Sequence, residues 1–223
     1  ESILRALTPS DQLPVPDTPD PSFLDPLTYE VAVGTLLIRC HKLRHRPQDF
    51  VPCQGDGRFS PLVTQGKCVP TMYTASSLEG AVYETAFHDV PLTGLDRVVL
   101  MSDLRQFGLT VVQVRRNIRL AELRGPGLVR LGLERQQLID TPATQYPRTR
   151  AWAQALYTAQ NGIDGLIWTS RRDDRAEALI LFDLDRIAPG MVVPAGPTLP
   201  LGLEPMLSRV YQMCEDSRIL LVG

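Results

Sequence analysis

Five residues in this chain invite a chemical reading: Arg39, Arg58, Tyr73, Glu84 and Ser170. Arg39 closes the run LLIRC, Arg58 stands in GDGRFSP, and Ser170 closes GLIWTS. Tyr73 and Glu84 share the stretch MYTASSLEGAVYETAFHD. Packing accounts for the leucine, the valine and the alanines of that stretch, and less readily for Tyr73 and Glu84. Arginine offers a rigid fork of donors that meets phosphate or carboxylate in pairs. Each residue also has an ordinary reading. Glu84 alone is a solvated helix carboxylate, Tyr73 a half-buried strand aromatic, Arg58 an exposed loop residue and Ser170 a turn residue at a strand end. His88, one turn beyond Glu84, could pair with it, and Arg150 could reach a phosphate. Trp152 and Tyr157 read as core.

The elements that must hold these residues follow from pattern. Residues 1–30 are rich in proline, which removes donors and restricts its neighbours, so an extended arm on the domain or on a partner is expected there. Strands are predicted over Leu36–Cys40, Val69–Ala75, Arg97–Leu104, Leu109–Arg116, Gly165–Ser170 and Ala178–Asp183. Ser76 and Glu79 have the spacing of a capping box, and the helix they start puts Leu78, Ala81, Val82, Thr85 and Ala86 on one face. Glu84 then falls at the border of that face. Residues 119–140 are ambiguous, because Gly125, Pro126 and Gly127 interrupt them. A helix through RTRAWAQALYTAQNG ends at Asn161 and Gly162, and a last helix lies near Glu204–Glu215. Strands and helices interleave irregularly, which favours α+β over a doubly wound parallel sheet. Most of the five residues lie at or near predicted strand ends, where loops build sites on rigid supports.

Composition narrows the function classes. Hydrophobic content is 43% and charged content 22%, ordinary for a soluble globular protein of 223 residues. A net charge of −2 offers no electrostatic grip on nucleic acid or anionic lipid. Lys42 and Lys67 are the only lysines, so positive charge is almost all arginine. No apolar run of about 18 residues appears, so no membrane span is expected. The first residue is Glu1 rather than Met, which leaves room for a removed targeting segment. Four cysteines in a chain of this length read most simply as reduced thiols of a cytoplasm. Cys40, His41, His45 and Cys53 lack a CxxC pair, and Pro47 argues against a helix that would align the histidines, so no metal site is expected. Gly125 and Gly127 begin a GxGxxG that Arg130 breaks, and no P-loop, HExxH or GxSxG is present.

In order and local context these segments resemble the RES-domain proteins, named for Arg, Glu and Ser, the toxins of RES–Xre toxin–antitoxin pairs. The likeness runs through GRFSP, a turn at Gly66, PTMYTASSLEGAVYETAFHD, ALYTAQNGIDGLIWTSR and ALILFD, roughly residues 34–186. Ser60 departs from it, standing where asparagine is expected after the Arg-aromatic pair. The resemblance implies an ADP-ribosyltransferase-like α+β fold of mixed sheets with flanking helices: a RES domain over 31–190 between the arm (1–30) and a C-terminal tail (191–223) with one helix packed on the same domain. It implies a bacterial cytoplasmic enzyme that binds NAD as substrate, without metal, and cleaves the nicotinamide–ribose bond. ADP-ribose would pass to water, phosphate or a protein; transfer to a specific cellular enzyme is the alternative. In that role Glu84 would stabilise the ribosyl cation, Arg39 and Arg58 would hold the diphosphate, Tyr73 would orient nicotinamide, and Ser170 would bind the cofactor or position the carboxylate. The implied partner is an Xre-type antitoxin covering the active site, in a hetero-oligomer or beside a homodimer. A non-catalytic module that only binds antitoxin or NAD is the reading of another class.

Overall fold

A computed structural model describes residues 13–91, 94, 97–159, 162–183 and 190–223. The strands are β1 (Thr28–Val31), β2 (Leu36–Lys42), β3 (Leu62–Thr64), β4 (Lys67–Val69), β5 (Thr71–Ala75), β6 (Val98–Leu100), β7 (Phe107–Val114), β8 (Ile118–Glu122), β9 (Gly165–Thr169), β10 (Glu177–Phe182), β11 (Val192–Pro194), β12 (Leu199–Pro200) and β13 (Leu220–Val222). The helices are α1 (Leu78–Tyr83), α2 (Met101–Leu104), α3 (Gly125–Arg130), α4 (Arg135–Leu138), α5 (Tyr146–Thr158) and α6 (Met206–Asp216).

The main sheet runs β1-β8-β9-β10-β5-β2-β7-β11, with β12 also on β7. Its neighbours are antiparallel except β8 and β9. This is the mixed α+β architecture that the irregular interleaving predicts. Its central strands are near-continuous apolar runs because both faces are covered. Ile180, Leu166 and Trp168 pack under α5 with Trp152 and Leu156. Leu179, Leu181 and Ile167 pack on the opposite face with Met72 and Val112. A further cluster joins α1 to α6 through Val82, Phe87, Val210 and Met213. Gly165 has no room for a side chain, since a Cβ there would lie 2.0 Å from the Ile180 carbonyl oxygen.

The described part of the proline-rich arm lies on its own domain. Val15 is fully buried, and the Trp152 indole donates to the Pro16 carbonyl at 3.0 Å. Arg148 holds the Val15 carbonyl at 2.8 Å.

Several local expectations need correction. The predicted strand Arg97–Leu104 is a strand only over Val98–Leu100, and then turns into α2. Met101 and Leu104, three apart and both buried, share a helical face there. Pro70 divides the predicted strand Val69–Ala75 between β4 and β5. The ambiguous region contains β8, α3 and α4. Asn161, one of the expected stop signals of α5, lies outside the described residues. The cap of α1 is Ser77, whose Oγ accepts from the Gly80 amide at 3.0 Å, not Ser76. Ser76 is held instead by the sheet: its amide donates to the Glu177 carbonyl at 2.9 Å and its Oγ accepts from the Glu177 amide at 2.8 Å. The helix therefore starts one residue later and ends at Tyr83, leaving Glu84 as its C-cap rather than deep within it. Cys53 and Cys68 are joined in a disulfide, not reduced. The two-residue turn Gln65–Gly66, both at positive φ, folds β4 back on β3. The antiparallel bridge of Val51 to Thr71 lays the chain after Val51 beside β4, and Cys53 and Cys68 stand 5.7 Å apart at their Cα atoms.

Candidate active site

Strands β2 and β5 share one register pair, Ile38 with Ala75. Beyond it β2 stays on β7 as far as Lys42, while β5 stays on β10 and takes Val51 on its freed edge. Parting two neighbouring strands inside a sheet opens a gap in the middle of the fold. A cleft of about 400 Å3 fills it.

Four of the five sequence candidates line this cleft: Arg39 from β2, Tyr73 from β5, Arg58 from the loop before β3, and Glu84 from the end of α1. Arg39 and Tyr73 lie within their strands rather than at the ends. The fifth, Ser170, is fully buried behind Glu84. Its Oγ donates to Glu84 Oε1 at 2.7 Å, and the Arg171 amide donates to the same oxygen at 3.3 Å. The Arg172 amide in turn donates to Ser170 Oγ at 3.2 Å. Of the two roles open to Ser170, its hydrogen bond is that of a residue positioning the carboxylate. One carboxylate oxygen is thereby fixed and Oε2 is left for a ligand.

Arg58 is buried and anchored through one nitrogen. Nη1 donates to the carbonyl of Ile139 and to Thr141 Oγ1, the latter at 2.9 Å. The guanidinium carbon lies 5.2 Å from the centre of the Tyr146 ring. Burial lowers its pKa, an effect opposed by Tyr146 and Glu84. Among the described residues no hydrogen bond uses Nε or Nη2, which are the donors left for a ligand. Arg39 is buried too; desolvation lowers its pKa to about 10, partly offset by Asp49, so it stays cationic at neutral pH. Its Nη1 donates to the Pro47 carbonyl.

The Tyr73 hydroxyl lies 3.2 Å from Ser60 Oγ and accepts from the Phe59 amide at 3.4 Å. Ser60, the residue that departs from the resemblance noted above, therefore contacts the hydroxyl of the aromatic ring in the site. Burial pushes the phenol pKa up to about 12, so it remains neutral. Gly57 lies close by, and a Cβ there would approach Ser60 Oγ and Tyr73 Oη at 3.1 and 3.2 Å.

The cleft is charged asymmetrically. Arg39, Lys42, Arg44 and Arg58 line it, with only Glu84 and Asp89 as acids among its described lining residues. Such a site suits a ligand with phosphate at one part and developing positive charge at another.

Other expectations fare differently. His88 lines the cleft but does not pair with Glu84: Nδ1 lies 2.9 Å from Asp89 Oδ1 and Nε2 lies 3.4 Å from Tyr146 Oη. The end of α1 at Tyr83 breaks the helical stagger that would have aligned the pair. Arg150 pairs with Asp56 rather than facing the cleft. No group of three or more His, Cys, Asp or Glu suited to a metal ion occurs among the described residues. No helix among them is long and apolar enough to cross a membrane. Sequence reasoning missed Thr141, Tyr146 and the Arg171 amide. The first two come from the loop after α4 and the start of α5, and a backbone donor has no sequence signal.

A family model described as the RES domain matches residues 36–204. Among solved structures, the crystal structure of the M. tuberculosis MbcT-MbcA toxin-antitoxin complex matches with a TM-score of 0.55 and 15% identity, covering 81% of this chain and 90% of that chain. At that identity the likeness is one of fold. No curated protein matches the chain.

Proposed function

The chain belongs to the RES-domain family, and from that premise we propose that it is a toxin that binds NAD in the β2/β5 cleft and cleaves its nicotinamide–ribose bond. The observation that carries this reading is the pairing of a positioned acid with two buried cations across one cleft: Glu84, held by Ser170 and Arg171, faces a space that Arg39 and Arg58 also line. A cleft of about 400 Å3 lies in the range of small-molecule sites, roughly 300–1,000 Å3.

The chemistry follows from these groups. The C–N bond to the ribose breaks, and its electron pair returns to the pyridinium ring, which leaves as neutral nicotinamide. Positive charge moves onto the ribose, where Glu84 Oε2 stabilises it. Arg39 and Arg58 hold the diphosphate, so the sugar cannot drift from the acid. Tyr73, neutral and held by Ser60, orients the nicotinamide. The acceptor adds to the ribose and gives up a proton. Water would yield ADP-ribose, phosphate would yield ADP-ribose-1″-phosphate, and a protein side chain would carry the label itself. The solved relative is a toxin-antitoxin complex, and the partner proposed here is an Xre-type antitoxin that closes the cleft.

The test is incubation of purified protein with labelled NAD, with and without cell lysate, followed by chromatography of nicotinamide and the ribosyl products. Nicotinamide should appear with wild type and be lost with Glu84→Ala. Free ADP-ribose, its phosphate or a labelled protein band identifies the acceptor. Folded wild-type protein that releases no nicotinamide, or a Glu84→Ala variant as active as wild type, overturns the reading. Growth arrest on expression that Glu84→Ala abolishes, and that a neighbouring antitoxin gene relieves, supports the toxin role.

A further inference from the structure

The cleft wall between Val51 and Arg58 has little of its own to hold it. Residues 52–57 form no helix or strand, and Pro52, Gln54, Gly55 and Asp56 are exposed. Its flanks are firm: Val51 is bridged to Thr71, and Arg58 is anchored on Ile139 and Thr141 beside the fully buried Phe59. Within the stretch, Asp56 pairs with Arg150 from an exposed position, a contact that contributes little, and Arg150 Nη1 donates to the Gly57 carbonyl at 3.2 Å, at the Arg58 end and away from Gln54. The firm tie is the disulfide from Cys53 to Cys68 of β4. Gln54 and Gly55, which follow Cys53, line the cleft. Cys68 is exposed, so a small thiol can reach it. The remaining cysteines, Cys40 and Cys214, are buried, and burial pushes their thiols up to about 12 and about 11, which leaves them unreactive at neutral pH.

We infer that Cys53 and Cys68 are a reversible thiol–disulfide site that sets how tightly the cleft holds its dinucleotide. Closed, the bond pins the Gln54–Gly55 rim to the β3–β4 hairpin. Open, it frees that rim while Arg58 and Glu84 keep their separate anchors. The inference rests on the NAD-binding reading for its kinetic consequence. The exchange is balanced. A thiolate of a small dithiol attacks Cys68 Sγ and releases the Cys53 thiolate; its second thiol then closes the reagent's own disulfide and releases Cys68. Two electrons and two protons pass to the protein. In reverse, oxidised glutathione takes them and leaves as two thiols.

The protein is prepared oxidised with glutathione disulfide and reduced with dithiothreitol, its state read by alkylation and mass. Reduction should raise KM for NAD about 3- to 10-fold through lost preorganisation of the rim, with kcat within about twofold. Cys53→Ser and Cys68→Ser should each behave as the reduced protein and ignore dithiothreitol. Equal KM in the two states overturns the inference, and so does a Cys53→Ser variant that still responds to reductant. A second readout needs no turnover: a non-specific protease should cut within 52–57 faster in the reduced chain. If no NAD is cleaved in either state, that failure belongs to the proposed activity, and the protease result alone decides the redox site, equal cutting rates rejecting it.

Discussion

Ser170→Ala isolates the contact that turns a helix-end glutamate into a positioned acid. The substitution removes the hydroxyl that donates to Glu84 Oε1 at 2.7 Å and accepts from the Arg172 amide at 3.2 Å. A hydrogen bond to a charged group is worth about 1.5–3 kcal/mol. The Arg171 amide, at 3.3 Å from the same oxygen, remains and retains part of the orientation. A loss of about 1.5–2.5 kcal/mol in the transition state lowers kcat roughly 10- to 70-fold. KM should stay within about twofold, because a positioning residue acts on the transition state rather than on uniform binding. The side chain is fully buried and is not among the residues lining the cleft. The assay is initial-rate nicotinamide release over a range of NAD, with the melting temperature recorded to show that the variant is folded. A folded variant with unchanged kcat would refute the positioning argument. A raised KM with kcat intact would return Ser170 to the role of a direct cofactor ligand.

Other expectations follow from the same geometry. Arg58→Ala should lower stability by about 2–4 kcal/mol in urea unfolding as well as abolish activity, because it strands the buried acceptors at Ile139 and Thr141; an unfolding midpoint equal to wild type would show that the anchor contributes nothing. Tyr73 has its pKa raised from 10.0 to about 12, so its stabilising contribution is complete below pH 10 and is lost as pH rises through about 12. The stability gap between wild type and Tyr73→Phe should therefore narrow over that window, and a gap that widens contradicts the sign. Gly165→Ala should cost about 3 kcal/mol or more, since its Cβ would meet the Ile180 carbonyl oxygen in the centre of the sheet; denaturation at the wild-type midpoint would mean that β9 and β10 can separate locally.

Residue order was informative wherever one local rule governed. The apolar runs at Leu36, Gly165 and Ala178 became β2, β9 and β10 because continuous hydrophobic stretches with β-branched residues suit a sheet covered on both faces. Arg39, Arg58, Tyr73 and Glu84 could be picked out as a group, and they do share one cleft. Rules broke where two elements competed for the same residues. Ser76 satisfied the cap pattern, yet Glu177 claimed it for the sheet and moved the helix start to Ser77.

What the chain of residues determined alone is the inventory: an α+β domain, buried strands, and an arginine-rich set with one well-placed glutamate. What the tertiary structure alone decided is the arrangement. The cleft exists because β2 and β5 part after Ile38 and Ala75, a register event between strands distant in the chain. The acid is oriented because β9 delivers Ser170 behind Glu84, and Arg58 is anchored by carbonyl and hydroxyl oxygens far along the chain. Cys53 meets Cys68 because an antiparallel bridge from Val51 to Thr71 lays the loop after Val51 beside β4. Local propensity is encoded in neighbouring residues, whereas these contacts join segments whose proximity is produced by burying the whole sheet at once.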